Sequence, residues 1–250
     1  LGNDLYYVRI GTGERRIIVT GGIHARENVS SYTVIRMAYY ASGKKFDGSI
    51  YYVPMLNPDG ALLREKGPSY VGGERERFLI ETNGGSRDFS QWKANINAVD
   101  LNTNFDARWG TGTQNIRHPA PANYIGPEPF SEPETRAIAA FTVKVGAAVT
   151  LSYHALGQEI YWYFYQRKHL ERDRTLAEYI AQQLTGYRLD GAYTSSAGGY
   201  KDWCVAKCGL PAYTIELVAS GKHPLPLSAA DADFELNKDL PILLTSYDGI

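Results

Sequence analysis

The chain has 250 residues, 44% hydrophobic and 21% charged, with 26 Lys and Arg against 27 Asp and Glu for a net charge of −1. That balance supports a sizeable core but supplies no basic field to grip a phosphate backbone, so nucleic acid is not an expected partner. No run of about 18 apolar residues occurs, so no membrane-spanning helix is expected. The two cysteines, Cys204 and Cys208, rule out a disulfide-rich framework. On a helix they would stack one turn apart, outside good disulfide geometry, so two thiols are expected rather than a bridge. No leader peptide is visible, but Leu1 opens the chain almost inside a strand-like run, so this says little about secretion. The 19 tyrosines have apolar bodies and polar tips, which suits a cleft wall as well as a core rim.

In chain order, 5–10 and 16–20 read as strands separated by the Gly-Thr-Gly turn at 11–13. A helix is predicted over 27–41 and a strand over 49–54. Residues 61–130, rich in Gly, Pro, Asn and charge, predict long loops with short helices, and loops of that length in a compact domain usually carry function. Ser131 with Glu134 three positions on reads as a capping box that opens a helix to about Lys144. Strands follow at 147–153 and 159–164, then a helix over 170–185 ended by Gly186. A buried strand is predicted at 212–218 and a last helix near 230–238. Strands interleaved with helices, without repeats, argue for an α/β/α sandwich with a central mixed β-sheet, one domain over 1–250.

The run IIVTGGIHARE at 17–27 ends an apolar strand in two glycines and then places His24 and Glu27 three apart. Such a pair, between a strand end and a helix start, can converge on one cation. Alone it is a common pattern, equally explained by a helix cap with a surface carboxylate. LSYH at 151–154 ends a second apolar strand in His154, which supplies a third donor. Catalytic zinc prefers three protein ligands and an open position. In YTIEL at 213–217, Glu216 interrupts an apolar strand, where an unpaired charge is costly. It faces either solvent on an edge or the metal site, where it would take a proton from a water that the metal activates.

With these residues in hand, the sequence resembles the zinc metallocarboxypeptidase family. The matching segments are GGIHARE at 21–27, PMLNPDG at 54–60, WKAN at 92–95, VDLNTNF at 99–105, SEPE at 131–134, SYH at 152–154, AGGYKDW at 197–203 and TIEL at 214–217. The resemblance implies one α/β domain, one zinc ion on His24, Glu27 and His154, and Glu216 as general base. It also implies that Lys93, where digestive members carry arginine, helps stabilise the oxyanion, as a point charge without arginine's fork. Arg26 matches a cleft-lining arginine and Asn102 a residue of the carboxylate clamp.

Two departures bear on substrate. The clamp arginine is replaced by Thr103, which cannot form a bidentate pair with a carboxylate, and this weakens the expectation of ordinary action on a free C-terminus. Lys201 falls where the family reads the substrate side chain and should favour an acidic group. The mobile tyrosine of digestive enzymes aligns with Thr194, and the adjacent Tyr193 is the candidate replacement. With FDARWG at 105–110 and HPLP at 223–226, these features resemble a bacterial branch that includes γ-D-glutamyl-diaminopimelate peptidases. The expected substrate is therefore a peptide, in particular a muropeptide from peptidoglycan stems. A carboxypeptidase on ordinary peptides, a zinc amidohydrolase on acylated amino acids and a non-catalytic cell-wall binding module are the alternatives. A bacterial setting, cytoplasmic or cell-wall associated, is expected, and the sequence sets no oligomeric state.

Overall fold

The computed structural model describes residues 2–219 and 227–249, with backbone alone at 227–229. The HPLP run at 223–226 lies outside the described residues. Seven strands form one mixed sheet: β1 (Val8–Ile10), β2 (Arg16–Thr20), β3 (Ser49–Val53), β4 (Val149–Ala155), β5 (Glu159–Tyr161), β6 (Arg188–Leu189) and β7 (Ala212–Leu217), in the order β1-β3-β2-β4-β7-β5-β6. β3, β2, β4 and β7 run parallel to one another, while β1 and β5 pair antiparallel to their central neighbours.

Side chains alternate between the two faces of each strand, and the apolar residues follow that period. Ile17, Val19, Leu151, Tyr153, Ile215 and Leu217 share one buried cluster. It is covered by α1 (Asn28–Ser42), α5 (Leu170–Gln183), α7 (Leu227–Asn237) and α8 (Leu240–Leu244). The opposite face packs on α4 (Pro133–Val145) and the single-turn α6 (Tyr200–Trp203). Helices on both faces give the α/β/α sandwich. The long segment after β3 carries α2 (Pro58–Lys66) and α3 (Gly73–Thr82). A satellite cluster of Ala25, Leu63, Leu79, Phe89 and Trp92 pins it to the loop after β2.

Several boundaries differ from the sequence reading. β1 and β5 are shorter than predicted because their flanks leave the ladder. Ser131 does not cap α4: Glu132 stands at the cap position without a side-chain bond. The Ser131 hydroxyl is spent elsewhere, accepting from Asn104 Nδ2 at 2.9 Å and donating to Glu132 at 2.8 Å. Cys204 and Cys208 are both free thiols, on one wide helical turn.

β2 leads through α1 to β3 on one side, whereas β4 has β7 on its other side. The carboxyl ends of β2 and β4 therefore meet at a point where the strand order reverses, the usual crevice of an open α/β sheet.

Candidate metal centre and adjoining cavity

The turn from β2 into α1 is built by Gly21 and Gly22. Gly22 has φ +64°, and a Cβ there would stand 2.4 Å from Ser31 Oγ, so the chain passes close over the start of α1 only without a side chain. Glu27 sits at the cap of α1, but its carboxylate makes no cap bond. Ser30 Oγ takes over local stitching by donating to Glu27 O at 2.7 Å and accepting from Gly22 N at 3.0 Å. The Glu27 carboxylate is thereby left for the histidines. Its Oε1 lies 2.8 Å from His24 Nδ1 and its Oε2 lies 3.2 Å from His154 Nδ1.

All three side chains are buried, and one donor atom from each lies within 4.8 Å of the others. Zinc fits this set. Two imidazole nitrogens of one kind converge on a carboxylate, the ligand chemistry and spacing of a single tetrahedral ion. His154 Nε2 is buried without a hydrogen-bond partner among the described residues, so that ring is held by its other nitrogen.

His24 is oriented from behind. Its Nε2 donates to Asp100 Oδ1 at 3.1 Å. The same carboxylate accepts from Asn102 N at 3.1 Å and Asn123 N at 3.0 Å, with Lys93 Nζ at 3.9 Å. A carboxylate behind a metal-ligating histidine fixes its tautomer and raises its basicity. Asp100 is a functional residue that the sequence reading missed, although Val99-Asp100-Leu101 places an acid in an apolar frame as Tyr213–Leu217 does for Glu216.

These groups set one another's protonation. Burial pulls the His24 imidazole down, but Glu27, joined by Asp100 and against Lys93, outweighs burial and holds it up at about 9. Burial drives the carboxyls of Glu27 and Asp100 up, yet His24 leads the groups that keep both well below the usual carboxylate range. Burial, then Glu27, pushes Glu216 up to about 8 against the pull of His24 and Lys93. Burial pulls His154 down.

Glu216 is partly exposed on a cavity of about 310 Å³, which Asn102, Tyr193 and Lys201 also line. The structure thus gathers His24, Glu27, His154, Lys93 and Glu216 at the carboxyl ends of the central strands. Asn102 Oδ1 accepts from Tyr200 N at 3.1 Å, and Tyr193 stands 73% exposed at the rim. Lys201 is buried, with Nζ donating to Tyr163 O at 3.0 Å and Asp202 Oδ1 at 2.6 Å. Its charge is already balanced by Asp202, a partner the sequence reading did not foresee. Arg26, in the loop between the two ligands, is half-buried and is not among the residues lining the cavity.

The sequence profile of the zinc carboxypeptidase family matches residues 1–237. A γ-D-glutamyl-L-diamino acid endopeptidase 1 of Lysinibacillus sphaericus is 33% identical over 246 residues, covering 91% of this chain and 60% of that relative. The chain thus spans about three-fifths of that protein's length. A murein-tripeptide amidase of Escherichia coli O157 superposes with a TM-score of 0.58 at 25% identity, covering 95% of this chain and 83% of the other. Bovine thrombin-activatable fibrinolysis inhibitor superposes with a TM-score of 0.72, covering 97% and 84%. At 21% identity it supports the fold alone.

Proposed function

The chain belongs to the zinc carboxypeptidase family, and on that premise we propose that it hydrolyses peptidoglycan stem peptides at the amide joining γ-D-glutamate to a diamino acid. One observation carries the chemistry. Glu216 lies in register with the ligand His154 on the adjacent parallel strand and opens on the cavity beside the three-donor centre. The substrate assignment is supported by the names of the endopeptidase relative and the murein amidase neighbour. It is also supported by Thr103 at the clamp position, whose hydroxyl is spent on Asp100 O at 2.8 Å.

His24, Glu27 and His154 would hold a zinc ion, and when bound it would polarise the scissile carbonyl as a Lewis acid and acidify a water. The chain's own residues do the rest. The Glu216 carboxylate receives the proton of the attacking water and passes it to the leaving amine, roles that suit a group whose affinity for protons lies near neutrality. The Lys93 ammonium, placed among Asp100, His24 and Glu216, stabilises charge developing on the carbonyl oxygen. Asp100 keeps His24 in the tautomer that offers Nδ1. The cavity walls, Asn102 and Lys201 included, orient the residue that leaves.

The test is incubation of the zinc-loaded protein with a defined muropeptide, products being identified by mass spectrometry. Fragments ending in D-glutamate, together with a free diamino-acid product, are expected. Intact muropeptide beside trimmed ordinary peptides would instead establish a carboxypeptidase.

A further inference from the structure

The strand order β4-β7-β5 obliges the link from β4 to β5 to pass over the carboxyl end of β7. Only Leu156, Gly157 and Gln158 make that crossing, a span of two strand spacings, about 10 Å. This strap leaves β4 just after His154 and Ala155 and lies against the base: a Cβ on Gly157 would stand 3.3 Å from Glu216 Cβ. Gly157 N donates to Val218 O at 2.7 Å and to Leu217 O at 3.3 Å, so the strap is stitched to the two residues that follow Glu216. Gln158 has φ +53° and Val218 φ +58°, a left-handed conformation that such residues keep only where their surroundings impose it.

The group that grips both residues comes from α7. Asp233 is 2% exposed. Its Oδ1 accepts from the Tyr187 hydroxyl at 2.7 Å. Burial pushes its carboxyl up, while hydrogen bonds from Tyr187, the Gln158 side chain and the Val218 N–H draw it back, with no cation among the groups acting on it. Asn237 braces the joint, its Nδ2 donating to Tyr187 Oη at 3.1 Å and to Asp233 O at 2.9 Å. Arg188 N, next to Tyr187, donates to Gln158 O at 2.8 Å. A buried carboxylate served only by neutral donors is costly to keep. What it supplies is geometry: one anion gathers the strap, the end of β7 and the segment before β6.

We propose that Asp233 is a positioning residue, which locks the 156–158 strap to the end of β7 and so keeps the Glu216 carboxylate aimed at the metal centre. This rests on the reading of Glu216 as the base and not on which peptide is cleaved. His154 and Glu216 pair across the sheet, but the ladder fixes only their backbones. The Glu216 side chain is confined by what covers its strand end, and that cover is the strap. Without Asp233, Gln158 and Val218 lose their shared acceptor, and strap and strand end are free to part. The donors of the metal centre stay, because Glu27 and Asp100 hold them from other segments. A misplacement of about 1 Å at a reacting group costs on the order of 10²-fold in rate. Neither Asp233, Tyr187 nor Gln158 lines the cavity, so the effect falls on turnover and not on substrate binding.

The experiment measures kcat and KM for the zinc-loaded full chain on a muropeptide with diaminopimelate after D-glutamate, or on an ordinary peptide if only that is cleaved. Asp233→Ala should lower kcat about 10–100-fold, with KM within about twofold and zinc stoichiometry unchanged. Tyr187→Phe removes one donor to Asp233 and should lower kcat by a smaller factor. Tyr213→Phe is the control. It also deletes a buried hydroxyl, one that donates to Asp173 O at 2.9 Å from the other end of β7, and should leave kcat unchanged. Asp233→Ala and Gln158→Ala should be non-additive in kcat, since the second change acts on a contact already lost. Lowered stability alone produces neither the split between kcat and KM nor that coupling. A folded Asp233→Ala with near-native kcat overturns this inference alone. So do additive effects at Asp233 and Gln158, or a kcat loss in Tyr213→Phe equal to that in Tyr187→Phe. If Asp233→Ala does not fold, Tyr187→Phe and Gln158→Ala against Tyr213→Phe decide the matter. If Glu216→Gln keeps full activity, or the wild type cleaves neither peptide, the base reading falls and this inference falls with it.

Discussion

His154 and Glu216 stand directly opposite each other on β4 and β7, and both turn away from the cluster that holds Tyr153, Ile215 and Leu217. Parallel pairing puts the ligand and the base at the same strand end, and the two-residue period puts them on the same face. Their relative position is therefore set by the sheet rather than by loops. Glu216→Gln keeps the shape and removes the proton acceptor. The variant should bind zinc with unchanged stoichiometry and lose about 10²–10⁴-fold in kcat, the range assigned to a positioned acid–base group. Metal content by mass spectrometry and a hydrolysis assay read the two effects separately. Near-full activity would remove the base assignment.

In the proposed mechanism Lys93 acts on that base as well as on the substrate. Its ammonium lowers the proton affinity of Glu216, whose carboxyl stands at about 8 in the metal-free site because burial and Glu27 raise it. Only the deprotonated carboxylate accepts a proton, so kcat/KM should climb with pH along an acid limb that reports Glu216. In Lys93→Met the opposing cation is gone, and the limb should move to higher pH. The plateau should also fall by about 10²-fold or more through lost oxyanion stabilisation. Lys93→Arg keeps the charge and should keep the limb. A methionine variant whose limb does not move would show that Lys93 does not face the base.

Much of this site was legible in the sequence because its residues interrupt strong local patterns. His154 and Glu216 interrupt apolar strands, so the two-residue period fixes where they point, while His24 and Glu27 follow the glycine turn that ends β2. What stayed hidden depends on contacts between distant loops. Asp100 lies in a segment without regular structure and is recognised only once its carboxylate is seen behind His24. The neutralisation of Lys201 depends on how the single turn of α6 meets the segment after β5 that carries Tyr163. Ser131 illustrates the reverse: a good local capping signal was overridden by Asn104, whose side chain ties that serine to Ile125 and Glu128.

The proton held on His24 in the metal-free protein competes with zinc. Burial pulls that pKa down, but Glu27 and Asp100 outweigh it and set it at about 9, above the ordinary 6.5. At pH 7 the ring must therefore release a proton to offer Nδ1, so zinc binding should liberate about one proton. Isothermal titration in buffers of different ionisation enthalpy measures this directly. The sign for stability follows from the same shift. A raised folded-state pKa contributes stability that is complete below 6.5 and is lost as pH rises through about 9. The melting temperature of the metal-free protein should fall over that window, while that of the zinc-loaded protein should not follow it. Asp100→Ala removes the group behind the ring and should weaken zinc binding by about 10–100-fold.

On the proposed reading, Thr103 sets how the site treats the end of its substrate. Its hydroxyl donates to Asp100 O at 2.8 Å and Tyr124 O at 3.3 Å, so it offers nothing to a terminal carboxylate. A substrate with a free C-terminus and the same substrate extended by one residue should therefore differ in kcat/KM by no more than about threefold. A preference for the free end of about a hundredfold would require a carboxylate anchor elsewhere in the cavity.

Gly198 holds the wall that carries Ala197, Gly199 and Lys201 against the loop of Thr103. Its φ is +83°, and a Cβ there would stand 2.6 Å from Thr103 O and 3.0 Å from Thr103 C. Both contacts are backbone, so a small side chain must push the two loops apart as well as adopt a conformation that favours glycine. Gly198 also donates its N–H to Ala107 O at 2.9 Å and accepts from Phe105 N at 2.9 Å, which leaves little room to yield. Gly198→Ala should cost about 1–3 kcal/mol in chemical denaturation. It should raise KM more than it lowers kcat, because the displaced wall orients the leaving residue while His24, Glu27, His154 and Glu216 belong to other segments. A variant with native stability and native KM would show that the two loops are not locked together at this glycine.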